Sequence, residues 1–131
     1  MKENPKIGLT GKVEFVVGND DVIKFDTNKM PSVLSTPMMI NYLEQAARLA
    51  IEPLLEPEES SVGIEIEVQH LAPTPIGQKV VCLAKVIYVD GNLITYHIEA
   101  SDQNELIARG THKRAVINAQ RFKRRVEKKN I

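Results

Sequence analysis

Three polar side chains, distant along the chain, are of types that together attack an activated carbonyl: Thr36, Glu44 and His70. A hydroxyl can be a nucleophile or a donor, a carboxylate in a cleft can activate water, and imidazole moves protons near neutral pH. Each also has a plainer use. Thr36 stands before Pro37 at the head of a helical stretch, where its hydroxyl can be the N-cap and Pro37 the first helical residue. The same location lies beside unpaired N–H groups that can hold an oxyanion. Glu44 precedes Arg48 by four residues, a pairing worth a few tenths of a kcal/mol. Projected into a cleft instead, its carboxyl would be desolvated and its pKa raised towards that of a useful base. His70 falls on the apolar parity of a strand just before a Pro/Gly break. It reads either as a core histidine bonded to a backbone carbonyl or as a general base where the sheet opens.

The elements that must place these groups follow from periodicity. Leu34–Leu55 is the long helical signal in a strand-rich chain, stopped by Pro53 and Pro57. Asn41, Gln45, Arg48 and Glu52 share its polar face, and Ile40, Leu43, Ala46, Ala47, Ala50 and Ile51 the other, with Glu44 at the border. The three alanines allow close approach to a sheet. Lys12–Val17 reads as a first strand, Asp26–Leu34 as a loop and Glu56–Ser60 as an acidic loop. From Val62 the period becomes two: Val62, Ile64, Ile66 and Val68 point one way, Glu65, Glu67 and Gln69 the other. Lys79–Val89 and Leu93–Ala100 are joined through Asp90-Gly91-Asn92, a hairpin signal, and Glu105–Ile117 is the last strand. Ala108 and Gly110 share a parity, which predicts a strand bending closely round a helix. One strand, one helix and four sequential strands predict an α+β domain: an antiparallel sheet wrapped round the helix.

Composition bounds the partners. At 131 residues, 43% hydrophobic and 26% charged, the chain reads as one globular domain. It contains no apolar run of membrane-span length and no signal-peptide core, and Cys82 is its single cysteine, so the expectation is a cytoplasmic protein without membrane association or disulfide. Cys82 itself reads as packing. His70, His97 and His112 are scattered singly, and no metal-ligand spacing, glycine-rich phosphate loop or Gly-x-Ser-x-Gly elbow occurs, so no metal is expected. The tail from Arg121 carries six basic residues and one glutamate; subtracting these from 17 and 17 leaves a body of 11 basic and 16 acidic residues. Such a tail reads as a solvated, frayed end or as a lure for a polyanion. With aromatics at 5% and no Trp, the body offers no stacking platform for nucleic acid.

LSTPMMINYLEQAA, SVGIEIEVQHLAPTPIGQKV and ELIARGTHKRAVI together resemble hotdog-fold acyl-CoA thioesterases, in particular the fluoroacetyl-CoA thioesterase-like group. The likeness runs from about Gly8 to Phe122. It implies a hotdog domain over residues 1–122 with a basic tail at 123–131, and a Thr/Glu/His site matching Thr36, Glu44 and His70. Gly63 matches a glycine beside the thioester, and Met30 and Thr27 occupy places where the fluoroacetyl-CoA enzyme carries a phenylalanine lid. Lys79, Arg109, Lys113, Arg114 and the tail are candidates for CoA phosphates, Arg114 among the substrate-binding set. The resemblance further implies at least a dimer, with sites between subunits, no cofactor beyond the CoA of the substrate, and no metal. The expected function is hydrolysis of a short- or medium-chain acyl-CoA to acid and free CoA, with Thr36 positioning or attacking, Glu44 activating water or attacking, and His70 orienting the thioester and shuttling a proton. A non-catalytic acyl-CoA sensor or carrier on the same fold is the alternative.

Overall fold

A computed structural model describes residues 1–25 and 29–130. Thr27 lies outside them. The elements run β1 (Thr10–Val16), α1 (Thr36–Ile51), β2 (Glu59–His70), β3 (Lys79–Asp90), β4 (Leu93–Ser101), β5 (Leu106–Asn118) and α2 (Ala119–Lys128), with 3-10 turns at Asn19–Asp21 and Glu52–Leu54. The five strands form one antiparallel sheet in the order β1-β3-β4-β5-β2, leaving β1 and β2 as edges. α1 packs chiefly on β1 and β3.

The predicted wrapping of a sheet round one helix is what forms, and its apolar side is divided. On β3 and β4 the residues facing α1 are apolar: Val80, Cys82, Ala84 and Val86, then Ile94, Tyr96, Ile98 and Ala100, all fully buried. They meet Met39, Leu43, Ala46, Ala47, Ala50 and Ile51 of α1. Met39 takes the buried place expected for Ile40. Burial pushes the Cys82 thiol up to about 12, so it packs and does not react. On β5 and β2 the same face turns polar, with His112, Arg114 and Ser61 buried.

Glycine decides two close approaches. A Cβ on Gly11 would overlap the Ala46 carbonyl oxygen and lie 2.8 Å from the Ala50 nitrogen. β1 therefore rests directly on the α1 backbone, where the small residues of the helix allow it. Gly110 acts differently from the sequence expectation: its Cβ would meet the Glu67 carbonyl and Val68 Cα of the neighbouring strand, not the helix.

The helix starts one residue earlier than the N-cap expectation. Ser35 is the cap, its Oγ accepting from Met38 N–H at 3.2 Å; Thr36 is the first helical residue and Pro37 the second. Thr36 is thereby released from capping. Ala119–Lys128 form an exposed helix capped by Asn118, whose Oδ1 accepts from Arg121 N–H at 3.0 Å, so the tail read from Arg121 as a frayed end or a polyanion lure is helical as far as Lys128.

Candidate functional site

The free Thr36 hydroxyl meets His70. Thr36 Oγ1 and His70 Nδ1 are 2.8 Å apart across 34 residues. Backbone ties hold both ends in register: Ser35 N–H donates to the Asp21 carbonyl at 2.8 Å, Leu34 N–H to the Thr74 carbonyl at 2.9 Å, and Leu71 N–H to the Ile107 carbonyl at 2.7 Å. Asp21, itself buried, also accepts from Tyr42 of α1 at 2.8 Å, and the buried Thr74 donates to Asp102 Oδ2 at 2.9 Å. Neither Asp21 nor Thr74 was legible as a support; each sits in an ordinary turn sequence. The pair opens into a cavity of about 360 Å³ whose wall is Ile23, Val33, Leu34, Leu71, Ala72 and Pro73. Burial holds the His70 pKa below its ordinary 6.5, with the Ala72 backbone partly opposing, so the ring is neutral at pH 7. Its Nε2 is buried without a partner among the described residues.

Three of the first helical positions offer no free N–H group. Pro37 has none, and those of Met38 and Met39 donate to Ser35 Oγ and the Ser35 carbonyl.

Glu44 sits in a second cluster. Eight residues on from Thr36, it is displaced by about 12 Å along the helix axis. Its partner is not Arg48 but Arg114, whose Nη1 is 3.5 Å from Oε2. A cavity of about 240 Å³ here is lined by Glu44, Gly63, Ile64, Glu65, Ile66 and His112.

A bulge in β2 builds this cluster and corrects the expected parity. The register against β5 shifts between Gly63 and Glu65, so that Gly63 pairs with Arg114 and Ile66 with His112. Ile64 is the extra residue and is 51% exposed. The face turned to α1 is therefore Ser61, Gly63, Ile66, Val68 and His70, with Val62 and Ile64 turned away. Glycine is needed at 63 because a Cβ there would lie 2.9 Å from Glu44 Oε2 and 3.1 Å from His112 Cε1. Gly63→Ala is expected to fold, since the carboxylate end can swing, and to push the Glu44 carboxylate off this position; circular dichroism beside a crystal structure of the variant checks both halves.

Arg114 is buried, not facing solvent: Nε donates to Ser61 Oγ and Nη2 to the Ser61 carbonyl, both at 3.0 Å. His112, which sequence reading left unused, faces it at 3.2 Å. A signal existed: His112 and Arg114 alternate with Gly110 on the face of β5 that the pattern assigns to the helix. Met30 is 54% exposed and lines neither cavity. Of the other basic candidates, Lys79 pairs with Glu14 at 2.9 Å and Lys113 with Glu65 at 3.6 Å. A further, larger concavity of about 690 Å³ has Glu67, Gln69, His97, Arg109 and Thr111 in its wall and none of the six site candidates. Among the described residues no cluster of three or more His, Cys, Asp or Glu could hold a metal, and no helix is long and apolar enough to cross a membrane.

Comparison with known proteins decides the family. Residues 17–120 match the family described as fluoroacetyl-CoA-specific thioesterase, FlK. The chain belongs to this family. It is 33% identical to the fluoroacetyl-CoA thioesterase of Streptantibioticus cattleyicolor, over 98% of this chain and 97% of that one. The crystal structure of a point mutant of the fluoroacetyl-CoA-specific thioesterase FlK superposes with a TM-score of 0.89 at 32% identity, covering 98% of this chain and 99% of that one. A thioesterase superfamily member from Thermus thermophilus gives 0.87 at 26%, covering 96% of each. The family's hotdog architecture is the wrapped sheet described above.

Proposed function

We propose that this protein hydrolyses a short- or medium-chain acyl-CoA thioester to the free acid and CoA, using Thr36, Glu44 and His70. The observation that carries the site is the 2.8 Å contact between Thr36 Oγ1 and His70 Nδ1, a nucleophile and a neutral base within reach of each other. Thr36 Oγ1 attacks the thioester carbon as its proton passes to Nδ1. The C–S bond breaks, and the CoA thiolate leaves with that proton. Water then gives a proton to the Glu44 carboxylate and attacks the acyl carbon; the ester C–O bond breaks, and Glu44 returns that proton to Thr36 Oγ1, releasing the acid and restoring the hydroxyl.

Glu44 reaches this centre from a second copy. β2 is a twelve-residue edge with the apolar Ile64 exposed, a form that pairs readily with another chain. Antiparallel pairing of two β2 edges about Glu67, with the bulge absorbing Ile64, puts Ile66 opposite the partner's Val68 and Gly63 opposite the partner's His70. Glu44, directly over Gly63, then faces the partner's Thr36 and His70, and the two-fold axis makes two such sites.

Rapid-quench mass spectrometry tests the chemistry. Glu44→Gln is expected to stall after acylation and show an acyl adduct on Thr36. Thr36→Ala is expected to lose at least about 100-fold in kcat, and Thr36→Ser to keep most of it. Stabilisation by intact acyl-CoA without turnover in the wild-type protein would instead indicate a binding module.

A further inference from the structure

Around Glu44 runs a closed set of hydrogen bonds that the proposed chemistry leaves without a purpose. The Glu65 carbonyl, at the bulge, is 2.8 Å from His112 Nδ1. A carbonyl oxygen only accepts, so Nδ1 carries the hydrogen of the neutral ring and Nε2 is a bare lone pair. That lone pair faces Arg114 Nη1 at 3.2 Å, and a guanidinium only donates. The same Nη1 reaches Glu44 Oε2 at 3.5 Å, while the rest of the guanidinium is fixed on Ser61. His112 is 2% exposed and stacks beside Tyr96, with ring centres 6.0 Å apart. It cannot turn without opening the core.

We propose that His112 is a positioning residue: its bare Nε2 aims Arg114 Nη1, and Arg114 holds the Glu44 carboxylate over Gly63. The inference rests on Glu44 being the carboxylate that drives water in the reaction above. Only the neutral ring can serve, because a second proton would sit on the nitrogen that faces a guanidinium. The charged and titratable groups around it are Arg114 on its own strand, Glu44 from α1 and Tyr96 from β4, while Arg48 of α1 acts on Arg114. β2 presents only the Glu65 carbonyl, the Glu65 carboxylate being paired with Lys113. Burial, aided by Arg114, keeps the His112 pKa below its ordinary value against the opposing pull of Glu65 and Glu44, so the ring is neutral at pH 7.

Two substitutions separate the two ring nitrogens. The amide nitrogen of His112→Asn falls where Nδ1 sits and keeps the Glu65 contact alone. The terminal oxygen of His112→Gln falls where Nε2 sits and keeps the acceptor for Arg114. His112→Asn is expected to lower kcat about 100-fold with little change in KM, and His112→Gln to recover most of the loss at equal thermal stability. In 15N spectra, wild-type His112 is expected as the Nδ1–H tautomer, and the Arg114 Nη resonances to be resolved in wild type and His112→Gln but averaged in His112→Asn. Wild-type kcat and Arg114 resonances in His112→Asn would overturn the proposal. Equal kcat losses in both variants that follow a fall in Tm would overturn it too, leaving a merely structural histidine. Glu44→Ala keeps the two proposals apart: if it is inactive while His112→Asn is fully active, only the positioning role fails. If it is fully active, the catalytic reading fails and the positioning role with it, whatever the Arg114 spectrum shows.

Discussion

His70→Ala is expected to lower kcat about a thousandfold while the protein stays folded. The magnitude is that of losing a positioned general base. Folding survives because His70 lies at the end of β2, half-buried, and its one bond to a side chain among the described residues runs to Thr36 on the exposed first turn of α1. The pH profile follows from the same environment. The base is the neutral ring, present above its pKa and lost as pH falls through it. Burial sets that pKa below 6.5, so the acid limb of kcat/KM is expected below 6.5 in the wild type. A limb centred at or above 6.5 counts against a buried His70 as the base. Mixing inactive His70→Ala with inactive Glu44→Gln gives a stronger test. A composite site makes every mixed dimer carry one centre with both groups intact. After random exchange, half of the dimers are mixed, so about a quarter of wild-type activity is expected to return. No recovery, with exchange verified by mass, would confine the site to one chain.

Gly11→Val is expected to lower stability more than any of the substitutions at the site. Even the first carbon of a side chain at this position overlaps the Ala46 carbonyl and closes on the Ala50 nitrogen. These are helical backbone atoms and cannot swing aside as a side chain does, so β1 must part from α1. Overpacking usually costs about 1–3 kcal/mol, and contact with backbone places this case above that range, against a total stability of roughly 5–15 kcal/mol. For a domain of this size, a Tm lower by more than about 10 °C is expected, read by calorimetry. Activity should fall with it, because α1 carries both Thr36 and Glu44. A Tm within a few degrees of wild type would mean that the sheet and helix are not in the contact described.

Fold and candidate site differ in how far they could be read from residues. The helix, the four later strands and the hairpin at Gly91 (φ +59°) were legible because local pattern and turn chemistry specify them. The face of β2 departs from its period-two pattern, because a single inserted residue at Ile64 reverses every side chain that precedes it, and the hydrophobic period carries no mark of a bulge. Ser35 was passed over for Thr36 since both are good caps and adjacent; the choice between them depends on the tertiary bonds that Ser35 and Leu34 make to Asp21 and Thr74.

Local sequence by itself determined that one helix would be wrapped by an antiparallel sheet, that Thr36 would head the helix, that Glu44 would stand at its polar border and that His70 would close a strand. Those are consequences of period, capping preference and breaker residues, which act over a few positions. Tertiary structure alone decided that Thr36 and His70 would touch, that Glu44 would face Arg114 and His112 over a bare Gly63, and that the two groups would lie in separate cavities of one chain. The reason is sequence distance: the Thr36–His70 and Glu44–Arg114 contacts span 34 and 70 residues, and they form only when α1 docks on the sheet, with the β2–β5 register setting which strand residues face it.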